Sequence, residues 1–124
     1  LLLTADEPTM ATSLLAPLSR ELEDADPNKV VCLRLLAVTL FASGKLDEGA
    51  AISRKVLRFD PQCVSSIHNL ALSALSNERY TSAWGWVRRG LAIDPHDDEL
   101  RRLRSRLLWS QITQILRKLV GRSK

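Results

Sequence analysis

The stretch "RFDPQCV" at residues 58–64 places an Asp-Pro pair between two amphipathic segments. The same pair occurs in "ADPN" at residues 25–28 and in "IDPH" at residues 93–96, so the three prolines are evenly spaced, and we call their spacing the repeat interval. Proline suits the first turn of a helix, and an aspartate before it can accept hydrogen bonds from the unpaired N–H groups of that turn. The repeated pair therefore predicts a repeated helix boundary, with the proline in the first helical turn.

The two segments between these pairs share one pattern of apolar residues. Each contains an apolar stripe at helical spacing, a polar turn and a second stripe, with the turns in "SGKLDEG" at residues 43–49 and "SNERYTS" at residues 76–82. The first stripes consist of Leu33, Leu36, Ala37 and Leu40 and then of Ile67, Leu70, Ala71 and Ala74. A helix pair of this length cannot bury its apolar faces alone, so the repeat predicts an all-α protein in which helix pairs stack into a solenoid.

With this repeat interval the sequence resembles the tetratricopeptide repeat (TPR) family, whose repeat is a helix pair of about 34 residues. The residues at the positions of the family pattern are Leu33, Leu36, Ala37, Leu40, Gly49, Ser53 and Pro61, and then Ile67, Leu70, Ala71, Ala74, Ala83, Val87 and Pro95. The family prefers alanine where Gly49 and Gly90 stand and an aromatic residue at Ser53, so we expect looser packing of the second helices. The resemblance implies full repeats at residues 30–63 and 64–97.

Residues 1–29 and residues 98–124 flank the two repeats. The first segment is interpreted as a partial repeat whose helix contains Pro17, which predicts a kink or a helix that begins near this proline. The apolar residues on one face of that helix are Leu14, Leu15, Leu18 and Leu22. The second segment predicts a capping helix with a basic tail. Because the chain begins without methionine, we expect a processed N-terminus or a piece of a longer protein.

The predicted C-terminal helix carries two apolar stripes. The first stripe replaces the apolar residues of the repeat and consists of Leu100, Leu103 and Leu107. We expect it to pack on the preceding helices. The second stripe consists of Leu108, Trp109, Ile112, Ile115, Leu116 and Leu119. We expect this stripe to dock a partner, because a helix that extends past its core leaves apolar side chains exposed to water. The alternative partners are a missing part of the protein, a second copy, another subunit and a membrane surface.

The charged residues are distributed unevenly along the chain. The formal net charge of +4 combines −2 for residues 1–63 with +6 for residues 64–124. A basic C-terminal half can attract nucleic acid, an anionic membrane or an acidic protein segment, whereas solvated arginines on helix surfaces are the alternative that requires no partner.

The sequence lacks the patterns that indicate catalysis or a cofactor. It has no Gly-rich phosphate loop, no nucleophile with a nearby base and no carboxylate pair at a defined spacing. His68 and His96 are its only histidines, and Cys32 and Cys63 form no metal-binding or disulfide motif. We therefore expect no catalytic residues, no metal and no cofactor.

The cysteines are compatible with a reducing compartment, which favours the cytoplasm without identifying the compartment. No apolar stretch approaches the roughly 20 residues of a membrane span.

In the TPR family the first helix of each pair lines a concave groove that binds a partner. The resemblance implies such a groove here, with an apolar centre and basic edges. Its candidate residues are Arg34, Val38, Phe41, His68, Asn69, Leu72, Leu75, Arg102 and Arg106. This surface suits an amphipathic segment with acidic groups. The alternative is a groove already filled by the N-terminal helix or by a neighbouring copy.

Family members that hold acidic chaperone tails use a clamp of basic and amide residues in this groove. The corresponding residues here are Arg34, Val38, Asn69, Glu99 and Leu103. Only Arg34 and Asn69 are suitable, and Glu99 would repel a carboxylate. The resemblance therefore implies a non-catalytic interaction or scaffold module within a larger assembly, with a protein partner and no chaperone clamp. An adaptor for nucleic acid or an anionic membrane, bound through the C-terminal helix, is the alternative function.

Overall fold

The computed structural model describes residues 6–122, and this part of the chain consists of six α-helices without a β-strand. The helices are α1 (Asp6–Glu21), α2 (Pro27–Ala42), α3 (Leu46–Phe59), α4 (Val64–Ser76), α5 (Tyr80–Ile93) and α6 (Asp98–Arg122). Each helix packs against the next one along the chain, and α6 also contacts α4. The all-α class predicted from the sequence is confirmed.

The repeat interval of the prolines reappears in the positions of the helices. The starts of α3 and α5 are separated by one repeat interval, and so are their ends and the ends of α2 and α4. The apolar stripes predicted for α2 and α4 are buried, and they comprise Leu33, Leu36, Ala37, Leu40, Ile67, Leu70, Ala71 and Ala74. These stripes therefore form the interior between neighbouring helices.

Two clusters of buried apolar side chains lie in the core of residues 6–122. The first cluster contains Val56 of α3 and Ile67 of α4. The second contains Leu100, Leu103 and Leu107 of α6 together with buried residues of α4 and α5. The N-terminal half of α6 thus covers the end of the stack, which confirms the packing predicted for its three leucines.

Each Asp-Pro pair closes the same kind of turn between helices. The side-chain Oδ1 atoms of Asp26, Asp60 and Asp94 accept hydrogen bonds from the N–H two residues later, at 2.8, 3.2 and 3.2 Å. The backbone carbonyl of each aspartate accepts from the N–H three residues later, at 3.0, 3.2 and 3.3 Å. Both hydrogen bonds are typical of a β-turn that begins at aspartate and has proline as its second residue.

The predicted position of the proline is correct only for α2. Pro27 is the first residue of that helix, but α4 begins at Val64 and α6 at Asp98, so Pro61 and Pro95 lie in the turns before these helices. The difference lies at the N-cap. Asp26 is itself the N-cap of α2, whereas Cys63 is the N-cap of α4 and Asp97 accepts from the Leu100 N–H in the first turn of α6, so a complete β-turn precedes each of these two helices.

The glycines expected to loosen α3 and α5 are sites of close packing. A Cβ at Gly49 would lie 2.7 Å from two ring atoms of Phe41, and a Cβ at Gly90 would collide with Leu100 and lie 3.1 Å from Ile67. Both glycines are buried. The prediction of loose packing is therefore wrong at these positions, because larger side chains of neighbouring helices occupy the space.

The helix α1 contains Pro17 in its interior, so the predicted start near this proline is wrong. Its packing face also differs from the predicted apolar face, because Leu14 is 74% exposed and Leu18 is 46% exposed. Thr12 of α1 and Thr39 of α2 form a hydrogen bond between their Oγ1 atoms at 3.0 Å. A hydroxyl contact thus marks the side of α1 that meets α2.

Candidate interaction surfaces

A depression of about 380 Å³ lies between α2 and α4, with the first turn of α6 at its edge. We call it the α2–α4 groove, and its lining residues are Val31, Arg34, Leu35, Ala37, Val38, Ser65, Ser66, His68, Asn69 and Glu99. Four of the residues predicted to bind a partner, Arg34, Val38, His68 and Asn69, come together here. The groove is therefore built from the first helices of both predicted repeats.

Exposed apolar side chains of α2 form one wall of the groove. Val31, Leu35 and Val38 lie at helix positions i, i+4 and i+7, and they are 53%, 50% and 60% exposed. The opposite side of α2 is buried against neighbouring helices, so α2 is apolar on two sides. Leu35 is absent from the residues predicted from the sequence, although its position one helical turn after Val31 could have identified it.

The groove carries a positive charge on its α2 side and a negative charge on its α6 side. Glu99 Oε2 lies 3.6 Å from His68 Nδ1, and this contact is an ion pair when the imidazole is protonated. Arg34 projects from α2 and is exposed, whereas Asn69 of α4 is half-buried. A ligand in the groove therefore meets a cation on the α2 side and a carboxylate on the α6 side.

The thiol of Cys63 lies at the N-terminus of α4, beside the groove. It donates a hydrogen bond to Ser66 Oγ at 3.3 Å, and it lies 3.3 Å from Ser65 Oγ. Burial opposes ionisation of the thiol. The hydroxyls of Ser65 and Ser66 and the backbone N–H of Ser66 can donate hydrogen bonds to the thiolate, and these bonds together with the positive charge of Arg34 outweigh the burial, so the pKa of Cys63 is lowered. The positive potential of Arg34 thus reaches the start of α4.

The other residues predicted for the groove do not line it. Phe41 covers a glycine of α3, and Leu72 and Leu75 pack half-buried against the second core cluster. Arg102 lines a separate depression on α6, and Arg106 is exposed on the same helix. The cationic character of the groove therefore comes from α2 and not from the arginines of α6.

The C-terminal half of α6 exposes the second predicted stripe. We call its side chains the α6 distal face, and they are Leu108, Trp109, Ile112, Ile115, Leu116 and Leu119. Each of them is between 43% and 68% exposed. The core-facing stripe of α6 ends at Leu107, whereas the helix continues to Arg122, which is about four turns further. The predicted docking residues thus lie together on a part of α6 beyond its core-facing stripe.

The two apolar stripes of α6 lie on different sides of the helix. At about 3.6 residues per turn, the centre of the α6 distal face is rotated by about 150° from the centre of the stripe at Leu100, Leu103 and Leu107. The core-facing side continues after Leu107 with the polar residues Gln111 and Gln114. Because the core-facing side contacts α4 and α5, the α6 distal face points away from both of them.

The charged residues around the α6 distal face are all cationic. From Leu100 to the end of the sequence, the chain contains eight lysines and arginines and no aspartate or glutamate. Arg117 and Lys118 lie on the polar side of α6, rotated by more than about 100° from the centre of the distal face. This end of the protein therefore attracts anions and repels a second α6.

Within residues 6–122, no group of three or more histidine, cysteine, aspartate or glutamate residues is arranged to hold a metal ion. A helix long and apolar enough to cross a membrane is also absent from this part of the chain.

In comparisons with known proteins, no family model and no curated protein matches the sequence. The function is therefore inferred from the α2–α4 groove and the α6 distal face themselves.

Proposed function

We propose that the chain is a non-catalytic protein-interaction module of the TPR type that acts as a domain or subunit of a larger assembly. The equivalent Asp-Pro turns and the separation of α3 and α5 by one repeat interval support the repeat type. The α2–α4 groove is the principal binding surface for a protein segment. The α6 distal face is a second contact surface.

The observation that carries this proposal is the exposed apolar wall of the groove, formed by Val31, Leu35 and Val38. Burying an aliphatic side chain that is already half-buried contributes about 1 kcal/mol, roughly half the value for a fully exposed one. The three side chains together supply about 3 kcal/mol, whereas a micromolar complex requires about 8 kcal/mol. The segment must therefore make further contacts in the groove, polar ones among them.

Arg34 is the polar group best placed to supply such a contact. Hydrogen bonds between arginine and a carboxylate are charge-assisted and frequently bidentate. Glu99 on the other side of the groove disfavours a second carboxylate and favours a basic or amide group. The segment that fits is amphipathic, with apolar residues three or four positions apart and an acidic residue at the α2 side.

Selection of displayed peptides on the immobilised full chain tests this proposal. We expect enriched peptides to carry spaced apolar residues and at least one acidic residue. The double variant Val31→Glu, Leu35→Glu should lower their affinity at least about tenfold, because it places two charges in the apolar wall. The matched control Ile112→Glu, Leu116→Glu makes the same substitutions at the same spacing in the α6 distal face and should leave the affinity unchanged.

The variant Arg34→Glu tests the predicted polarity of the segment. It should weaken acidic peptides and spare analogues in which the acidic residue is replaced by its amide. Circular dichroism should show that every variant keeps its helix content. The proposal is overturned if the selection enriches no sequence, or if the peptides bind Val31→Glu, Leu35→Glu as tightly as the unaltered chain.

A further inference from the structure

We infer that the α6 distal face binds an anionic lipid surface, with α6 lying in the plane of the membrane interface. This contact is independent of the α2–α4 groove, to which α6 contributes only Glu99 of its first turn. Three features of the α6 distal face favour this contact, namely its shape, the charges around it and its direction relative to the rest of the protein.

The shape of the α6 distal face suits a fluid surface. Its side chains cover an arc of about 120° along roughly 18 Å of helix. A single partner helix in a coiled coil covers a narrower stripe, whereas acyl chains adapt to the whole arc. Trp109 lies at one edge of the arc and is 68% exposed. An indole in this position can bury its ring and keep its N–H among polar headgroups.

The charges around the α6 distal face favour an anionic lipid surface over a second copy of α6 or nucleic acid. Arg117 and Lys118 lie on the polar side of the same helical segment, where cations remain in the headgroup region when the apolar side is buried. A second α6 would bring like charges together, because neither helix has an acidic residue after Glu99. Nucleic acid would pair with the cations and leave the apolar arc in water.

The direction of the face allows a flat surface to reach it. The α6 distal face is rotated by about 150° from the side that contacts α4 and α5, so these helices lie on the opposite side of α6 from an approaching membrane. Arg101 and Arg102 are exposed on the outward side of α6, one to two turns before Leu108. Their guanidinium groups can contact lipid phosphates where the helix leaves the interface.

Vesicle flotation with the full chain tests the inference. The two probes are vesicles of phosphatidylcholine and vesicles in which about a third of the lipid is phosphatidylglycerol. We expect binding to the anionic vesicles and at least about tenfold weaker binding to the neutral ones. The tryptophan emission of the protein should shift to shorter wavelength on the anionic vesicles, and Trp109→Phe should remove this shift, because Trp84 and Trp86 lie in α5.

Two double variants separate the apolar and charged contributions. Ile112→Glu, Leu116→Glu should reduce vesicle binding at least about tenfold, because each glutamate must stay in water. Arg117→Gln, Lys118→Gln should reduce it by roughly tenfold or more and make it less sensitive to salt. The matched control Val31→Glu, Leu35→Glu lies in the α2–α4 groove and should bind vesicles like the unaltered chain.

Four results would overturn the inference. The first is no binding to the anionic vesicles, and the second is equal binding to both kinds of vesicle. The third is an oligomer, detected by analytical ultracentrifugation, that Ile112→Glu, Leu116→Glu dissociates while vesicle binding is absent, since this assigns the face to a second copy. The fourth is binding of duplex DNA that survives the same variant without vesicle binding, since this assigns the cations to nucleic acid. Peptide binding by the groove is measured separately, so each proposal can fail alone.

Discussion

Gly90 of α5 and Leu100 of α6 are packed so closely that no side chain fits between them. A Cβ at residue 90 would collide with Leu100 Cδ1 and would lie 3.1 Å from Ile67 Cγ2. Leu100 and Ile67 are fully buried, so neither side chain can move into solvent. The absence of a Cβ therefore sets how closely α6 lies on α5, and this contact orients the helix that carries the α6 distal face.

The variant Gly90→Ala should destabilise the protein by about 1–3 kcal/mol, because the added methyl group overpacks the second core cluster. This loss should appear although alanine has a helix propensity more favourable than glycine by about 1 kcal/mol. Urea unfolding followed by circular dichroism measures the change in the free energy of unfolding.

A matched control lies in the same helix. A Cβ at Gly85 would have no atom within 4 Å, and the residue is exposed. Gly85→Ala should therefore stabilise the protein by about 0.5–1 kcal/mol, through helix propensity and a less flexible unfolded chain. Equal effects of the two substitutions would show that the contact with Leu100 does not constrain α5.

Asp97 stabilises the start of α6 as its N-cap. Its Oδ1 atom accepts a hydrogen bond from the backbone N–H of Leu100 at 2.8 Å. Asp97→Ala should reduce the free energy of unfolding by about 1 kcal/mol, because an N–H in the first turn loses its acceptor. Asp97→Asn keeps an acceptor and should recover most of this loss in the same urea titration. If the asparagine variant is as unstable as the alanine variant, the cap is not the cause.

Ser53 of α3 is expected to weaken the core. Its hydroxyl is fully buried and has no hydrogen-bond partner in the part of the chain that the structure describes. Val87, which lies one repeat interval later in α5, is equally buried but apolar. Ser53→Ala should raise the free energy of unfolding by about 1 kcal/mol, because it removes an unpaired polar group from the interior.

A second buried serine provides the control for this prediction. The hydroxyl of Ser19 donates a hydrogen bond to the carbonyl of Ala16 at 2.8 Å. Ser19→Ala should not raise the free energy of unfolding, because the hydroxyl that it removes already donates a hydrogen bond. A loss of stability in Ser53→Ala would mean that the hydroxyl of Ser53 has a partner in solution.

The helices could be predicted from the sequence because their boundaries depend on local chemistry. The Asp-Pro turns at Asp26, Asp60 and Asp94 form through hydrogen bonds within a few residues, and the apolar stripes follow the period of the helix. The position of the N-cap explains the error at Pro61 and Pro95. Cys63 and Asp97 cap α4 and α6 three residues after the aspartate, so the proline stays in the turn, whereas Asp26 caps α2 itself.

The groove was only partly predictable because its walls depend on contacts between helices. Arg34 and His68 line it as expected, since their positions follow from the repeat spacing. Phe41 turns instead toward Gly49, a glycine of another helix whose missing Cβ leaves room for the ring. No periodic pattern within α2 distinguishes a side chain that faces the groove from one that fills such a gap.

The lowered pKa of Cys63 predicts that stability depends on pH. The ordinary value for the thiol is 9.0, and the folded protein loses this proton at a lower pH. Between the folded and the ordinary value the unfolded chain binds more protons, so the free energy of unfolding should rise with pH through this window. The gain is complete above the ordinary value and is lost as the pH falls through the folded value.

Urea titrations at pH values on both sides of this window give the free energy of unfolding of the unaltered chain and of Cys63→Ser. The increase with pH should be larger for the unaltered chain, and the difference between the two increases measures the effect of the thiol. Arg34→Gln keeps the thiol but removes the charge that favours the thiolate, so it should reduce the difference. Parallel curves for the unaltered chain and Cys63→Ser would contradict the prediction. Because Arg34 also lines the α2–α4 groove, an acidic peptide bound there should raise the pKa of Cys63 again, and thiolate absorbance would report its binding.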